Sequence, residues 1–396
     1  MDDSPRRCLL IARQGPGDRD DLTQDHLLEL AELARSCGFE VQAKRTLKRS
    51  EIATKTFYGS GQLEALAEEA VRQGVSHLIC DDELRGSQVN AIEKLTGLSC
   101  LDRTGLILSI FEQRAQTREA KAQVELARCE YELPRLKGAW THLERQGGGV
   151  GLRGGPGETQ IEVDRRLIRT RISQLKRELA HLEQVRATQR QGRPKGLPRV
   201  ALVGYTNAGK TSLLKALTGT GEPRDLLFAT LDTTTRKAWL GQDTDSETGE
   251  GLLEPQHCLV ADTVGFIRKL PHQLVAAFRS TLGEVRTADA LLVVADAAHP
   301  DLEDHLKVVG ATLCDIGCEP EGLEAQPRLL VLNQVDRLHR PQKLDLKKKH
   351  PGAVQACALQ GTGVEEIRRW LRELVPGPVR ARELEAWEMP ESASAP

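Results

Sequence analysis

Aromatic residues make up only 3% of this 396-residue chain, with four Trp, three Tyr and six Phe. Its cores must therefore be assembled from Leu, Val, Ile and Ala rather than from stacked rings. The nine cysteines, at positions 8, 37, 80, 100, 129, 258, 314, 318 and 357, form no CxxC pair. Cys314-x-x-x-Cys318 has no second ligand pair nearby, which argues against zinc or a disulfide framework and for isolated reduced thiols. No apolar run approaches membrane-spanning length, and the N-terminus has no long apolar stretch. The expectation is a cytoplasmic protein without a membrane partner. Net charge is almost lacking too, at −2, but the balance is segregated: between Gln160 and Arg199 eleven Lys or Arg stand against four Asp or Glu. Asp243, Asp245, Glu247, Glu250 and Glu254 cluster elsewhere. Such segregation points to one basic face for a polyanion.

What is present divides the chain into stretches of different period. Residues 1–110 alternate short apolar strands (Cys8–Ala12, Val75–Cys80, Leu98–Leu101) with helices (His26–Cys37, Gln62–Gln73), each helix stopped by a glycine. That alternation predicts a small α/β subdomain with a mainly parallel sheet. Residues 111–196 read instead as a helical hairpin. Ala120, Val124, Ala127 and Tyr131 form one apolar stripe, and Ile168, Ile172, Leu175, Leu179 and Leu182 form another, with Ile161 one heptad earlier. Between them Gly147–Gly157 holds seven glycines, too dense for helix or strand, and reads as a functional tip loop at 147–157. Arg190–Pro198 is a linker. Strand–helix alternation resumes over 197–375, and 376–396 is a frayed tail.

Chemistry enters at residue 204. The apolar strand Arg199–Val203 runs directly into Gly204, Tyr205, Thr206, Asn207, Ala208, Gly209, Lys210 and Thr211, and a helix follows from Ser212. This is G-x-x-x-x-G-K-[ST] in the strand–loop–helix setting it requires. The glycines let successive N–H groups turn toward phosphate oxygens, and the helix N-terminus adds its positive end. Lys210 is expected at the β- and γ-phosphates, and Thr211 as a Mg²⁺ ligand. A second strand, His257–Ala261, ends in Asp262, Thr263, Val264 and Gly265. There a carboxylate can hold Mg²⁺ through water and the Gly265 N–H can follow the γ-phosphate. Between the two lie Phe228, Ala229, Thr230, Leu231 and Asp232, with Thr230 nineteen residues after Thr211. A loop hydroxyl at that distance can swing in as a second Mg²⁺ ligand. A third strand, Arg328–Leu332, ends in Asn333, Gln334, Val335 and Asp336. A carboxylate there accepts from N1–H and the 2-amino group of guanine; adenine lacks that pair and leaves the acceptor unsatisfied. Four motifs in this order, each at a strand end, imply guanine-specific nucleotide chemistry on a Ras-like P-loop GTPase domain.

The chain resembles the HflX family of translation-associated GTPases. The resemblance rests on the P-loop, on Phe228-Ala-Thr-Leu-Asp232 and Asp262-Thr-Val-Gly-Phe266, and on signatures in the first half. Those are Tyr58-Gly-Ser-Gly61, Asp81-Asp-Glu-Leu84, Leu101-Asp-Arg-Thr-Gly-Leu-Ile-Leu108, Glu132-Leu-Pro-Arg-Leu136 and Gly154-Gly-Pro-Gly-Glu-Thr-Gln160. It implies an α/β subdomain, a helical hairpin and a Ras-like domain. It further implies binding to the large ribosomal subunit and its rRNA, with the glycine-rich loop reaching toward the peptidyl-transferase centre, and GTP-dependent splitting of stalled ribosomes. Three positions depart from the family pattern. Gln334 stands for the usual lysine of Asn-Lys-x-Asp, and Cys357, Ala358 and Leu359 stand for the Ser-Ala pattern that approaches guanine O6. Gly154-Gly155 carries an additional glycine.

Phe266 occupies the position where many Ras-like proteins carry a water-orienting Gln. Catalytic contributions are therefore expected from Lys210, Thr230, Gly265 and Asn207, the last as a candidate K⁺ site like the Asn found at this P-loop position in related GTPases. The chain is expected to act as a monomer. Two rivals remain: a GTP switch docking a protein through the hairpin as a coiled-coil adaptor, and a helicase-like NTPase, whose further motor motifs are not found. Arg165, Arg166, Arg169, Arg171 and Arg177 lie mostly off the apolar stripe, which favours phosphate contacts over the adaptor.

Overall fold

The computed structural model describes residues 6–18, 20–136, 160–191, 197–221, 228, 231, 233–241, 256–269, 279–318 and 326–374. Two compact units emerge: Met1–Ala180 with Pro271–Ala277, and His181–Leu270 with Phe278–Pro396.

In the first unit, β1 (Arg6–Gln14), β2 (Phe39–Lys48), β3 (His77–Cys80) and β4 (Ser99–Asp102) form a parallel sheet in the order β2-β1-β3-β4. Cys8–Ala12 in β1 is buried along its whole length, as a continuous apolar run demands of a central parallel strand. Leu9 and Ile11 pack with Leu78, Cys80 and the apolar faces of α2 (Ser60–Gln73) and α3 (Gly86–Thr96). The remaining helices of the sheet region are α1 (Asp20–Ser36) and α4 (Arg103–Arg114). The strand β2 has no counterpart among the sequence expectations. It is an edge strand, carries Lys44, Arg45 and Lys48, and shows no apolar run; charges of this kind blunt an open edge.

Three of the first-half signatures meet at one buried carboxylate. Asp102 caps α4 by accepting from Gly105 N–H at 2.8 Å, and it also accepts from Leu84 N–H, the Tyr131 hydroxyl and Arg135 Nη2. Asp81 pairs with the buried Arg103, which also bonds Glu29. Such networks are costly to break, by about 3–5 kcal/mol when one member of a buried pair is removed.

The helical pair is α5 (Arg118–Glu132) and α6 (Gln160–Gln191). Its antiparallel sense follows from Arg118 bonding Glu178 while Glu125 bonds Arg171. The seam differs in detail from expectation. Leu175, Ile172 and Leu179 come from the expected stripe, but their partners on α5 are Ala122, Leu126 and Cys129. The stripe of Ala120, Val124, Ala127 and Tyr131 is buried as well, and its Tyr131 reaches Asp102. Helix α5 thus has two apolar faces, and periodicity does not say which neighbour takes which. The tip loop at 147–157, residues 192–196 of the linker and the tail at 376–396 lie outside the described residues.

In the second unit a six-stranded sheet runs β10-β9-β8-β5-β7-β6, with β5 (Arg199–Gly204), β6 (Thr234–Gly241), β7 (Gln256–Asp262), β8 (Ala290–Asp296), β9 (Arg328–Asn333) and β10 (Val354–Gln355). All pairings are parallel except β6 with β7. The helices among the described residues are α7 (Lys210–Thr218), α8 (Arg279–Arg286), α9 (Leu302–Asp315), α10 (Arg340–Lys349) and α11 (Val364–Glu373). Val200, Leu202, Val260, Leu292 and Val331 pack with Leu213, Leu217, Ile367 and Leu371. This is the expected α/β architecture of parallel strands with a helical pair before them. Central β5 lies between β7 and β8, so the loop after it opens at a reversal of strand order, the usual ligand crevice of such sheets. No helix among the described residues is long and apolar enough to cross a membrane.

Candidate nucleotide site

The loop after β5 folds as its glycines require. A Cβ on Gly204 would lie 2.0 Å from the Val294 carbonyl oxygen, and one on Gly209 (φ 87°) would lie 2.2 Å from Asn333 Nδ2. Neither position has room for a side chain. Asn207 holds a left-handed φ of 60° and is exposed. Lys210 begins α7 buried, and its ammonium donates to the Gly204 and Tyr205 carbonyls at 3.2 and 2.9 Å. Burial pushes its pKa down to about 8, against the opposing pull of Asp262. One turn of carbonyls thus holds a cation beside a helix N-terminus, an arrangement suited to anionic oxygens.

Asp262 ends β7 next to this loop, and Thr211 donates its hydroxyl to Asp262 Oδ2 at 2.6 Å. These are hard oxygen donors of the kind Mg²⁺ takes. Gly265 packs so closely that a Cβ would lie 2.8 Å from Thr206 Cα. The segment after Asp262 is tied to the P-loop by its backbone: Phe266 N–H donates to the Gly204 carbonyl, and Thr206 N–H to the Phe266 carbonyl. The Phe266 ring is buried in the core. Thr263 is buried, and its hydroxyl donates to the Leu202 carbonyl at 2.6 Å. Val264, Phe228 and Leu231 are buried apolar residues. Ala229, Thr230 and Asp232 lie outside the described residues.

The motif residues 333–336 and 357–359 lie at or just after the ends of β9 and β10. Asn333 lies buried at the end of β9. Its Nδ2 donates to the Ala208 carbonyl and its Oδ1 accepts from Ala358 N–H, both at 3.0 Å. Both ends of the buried amide are engaged, so Asn333 stitches the phosphate loop to the Cys357–Leu359 loop. The same bond holds the Ala358 N–H. Val335 packs into the core beside Leu332 and Cys357. Gln334 sits at φ 62° and donates to the Asn207 carbonyl, while Arg337 donates to its Oε1 at 2.7 Å. Asp336 and Leu359 are exposed, the latter at 81%. Burial, and then a hydrogen bond to Asp336, push the Cys357 thiol pKa up.

Sequence reasoning missed a network behind the P-loop. The Tyr205 hydroxyl accepts from Arg268 N–H at 2.8 Å, and its ring stacks on His305 with centroids 3.7 Å apart. Arg268 is buried and pairs with Asp301 at 3.0 Å. Burial drives His305 down to about 3, helped by His299 and Arg268. It is therefore neutral at ordinary pH. Nothing local marks Arg268 or His305 as partners of a P-loop tyrosine.

Comparison with known proteins gives three family matches along the chain. Residues 24–112 match a GTP-binding GTPase N-terminal family, 114–193 a GTP-binding GTPase middle region, and 199–334 a 50S ribosome-binding GTPase family. A GTPase HflX from Magnetococcus marinus is 44% identical over 377 residues, covering 94% of this chain and 83% of that protein. GTPase HflX of Escherichia coli K12 is 41% identical over 384 residues, covering 95% and 84%. Among solved structures, a GTP-binding protein from Sulfolobus solfataricus in complex with GDP is 25% identical, covers 93% and 98% of the two chains, and superposes with a TM-score of 0.45.

Proposed function

The chain belongs to the HflX family of GTPases, and from that premise we propose that it binds the large ribosomal subunit and uses GTP binding and hydrolysis to split or rescue stalled ribosomes. The observation that carries the reading is the nucleotide cradle at the end of β5, in a segment that matches a family described as 50S ribosome-binding GTPases. GTP is the substrate. Its phosphates lie along the Gly204–Thr211 backbone, where the Lys210 ammonium supplies positive charge and Gly265, without a side chain, brings its N–H toward the γ-phosphate. Asp336 reads the guanine edge. Thr211, backed by Asp262, would hold Mg²⁺, with Thr230 as a second ligand, and the ion would supply positive charge to the phosphate oxygens.

The buried Phe266 ring can neither donate to nor accept from an attacking water, so turnover by the protein alone is slow. Asn207, with K⁺, and ordering by the large subunit supply what Phe266 does not. Basal GTPase rates in K⁺ and Na⁺, with and without subunits, test both; fast turnover indifferent to either would reject this account.

The hairpin contributes phosphate contacts through fewer cations than its composition offers. Arg171 is held by both oxygens of Glu125, Lys176 bonds Glu130 at 2.8 Å, and Arg177 donates to the Ser173 carbonyl. Arg165, Arg166 and Arg169 line one face with Glu162, Thr170 and Ser173, and these three arginines are assigned to rRNA on their place on that face. The internal pairs are the observation that favours the alternative, a GTP-dependent switch docking a protein through its hairpin. Cosedimentation with purified large subunits, with and without a non-hydrolysable GTP analogue, decides between them. Analogue-dependent binding whose salt slope falls in the triple Ala variant supports rRNA contact. Binding with an unchanged slope supports the adaptor.

A further inference from the structure

The most strongly basic described element of the second unit is not part of the nucleotide site. Between Arg337 and His350 the chain carries six Lys or Arg against one Asp, in a protein whose overall charge is −2. Helix α10 occupies most of this stretch. Leu338 and Leu346 pack on Ala295, Leu302, Leu332 and Val335, and His350 meets Glu303 at 3.0 Å, so one face is fixed to the domain. Arg340, Lys343, Leu344, Lys347 and Lys348 follow the spacing i, i+3, i+4, i+7 and i+8 and therefore share the opposite stripe. Arg340, Lys347 and Lys348 are exposed, Lys343 is half-buried, and Leu344 is 55% exposed. Two neighbouring cations have acidic partners, Arg337 with Asp296 and Lys349 with Asp345. The four on the stripe have none among the described residues.

Helix stability does not account for the pattern. Cations in the last turn suit the macrodipole, but Arg340 and Lys343 lie in the first half, where positive charge is unfavourable. Lysine is depleted at protein–protein interfaces, and the stripe offers a single apolar side chain and no aromatic ring to anchor one. Separate, mobile point charges over about 12 Å of helix match a row of backbone phosphates instead.

We propose that the Arg340–Lys343–Lys347–Lys348 stripe of α10 is a second RNA-docking surface, which seats the GTPase domain on rRNA phosphates independently of the hairpin. The inference rests on the ribosome reading above. It is tested with the full chain carrying R340Q/K343Q/K347Q/K348Q, glutamine keeping helix propensity. Binding to purified large subunits is measured between 50 and 200 mM salt, values chosen as those over which such contacts are lost by orders of magnitude. The slope of log K against log salt should shallow by about 3, for four lost phosphate contacts. The same loss should appear on protein-free rRNA from those subunits, with nucleotide affinity and basal GTPase activity unchanged. Wild-type binding with an unchanged slope in the variant overturns this inference and leaves the ribosome reading standing. A loss seen on intact subunits but not on protein-free rRNA also overturns it, assigning α10 to a ribosomal protein. Failure of the wild type itself to bind overturns the ribosome reading, and this inference with it.

Discussion

Asn333→Ala removes a side chain that links two loops, 125 residues before it and 25 residues after it in the chain. In the native protein the amide donates to the Ala208 carbonyl and accepts from Ala358 N–H, each at 3.0 Å. Ala208 and Ala358 are both buried, so truncation leaves a carbonyl and an N–H without partners and without water. Each such group costs about 1–3 kcal/mol, so the substitution should cost about 2–6 kcal/mol in all. Part of that appears as lost stability. Part appears as lost nucleotide affinity, because the phosphate loop and the base-reading loop are no longer held in register. Urea denaturation, paired with titration of a fluorescent GDP analogue, measures both. Asn333→Asp sharpens the reading: it can still accept from Ala358 but sets an acceptor against the Ala208 carbonyl, and should recover little. A combined loss under about 1 kcal/mol for Asn333→Ala would refute the stitching role.

Lys210→Ala and Thr211→Ala should each abolish single-turnover GTP hydrolysis while the first unit stays folded; undiminished hydrolysis by either would remove the phosphate-site assignment. Asp336→Asn should shift preference from GTP toward XTP, because an amide can donate to the xanthine 2-oxo group, and a variant that still prefers GTP in competition would point to another reader. Stability should also carry the signature of Lys210. Its folded pKa of about 8 lies below the ordinary value of 10.5, so the unfolded chain binds more protons between those limits and unfolding free energy rises with pH across the window. The gain is up to about 3 kcal/mol at 1.36 kcal/mol per pH unit and should be missing from Lys210→Met; parallel pH profiles for the two proteins would contradict it.

The parts legible in the sequence are those whose chemistry is local. Gly204 to Thr211 is a contiguous loop between a strand and a helix, so motif and context are read together, and strands β7 and β9 are apolar runs with their functional residues at the ends. Edge strand β2 escaped because its charged residues carry no apolar run. The hairpin seam was half legible: the α6 stripe held, whereas α5 presents Ala122, Leu126 and Cys129 to it, a choice set by which neighbour covers each of two apolar faces. Asn333 and Tyr205 were read by motif alone. Their partners, Ala358 for one and Arg268 and His305 for the other, are brought together by strand order, which no local pattern encodes. Likewise the pairing of Arg171 with Glu125 depends on α5 lying beside α6, which the stripe on α6 does not encode.

The central claim is that GTP-bound protein acts on ribosomes through the large subunit. Intact monosomes incubated with the protein and either GDP or a non-hydrolysable GTP analogue, then resolved on a sucrose gradient, test it most directly. The account predicts that the analogue, and not GDP, converts monosomes to separate subunits with the protein travelling in the large-subunit peak. Intact monosomes with the protein left at the top of the gradient in both nucleotides would contradict it.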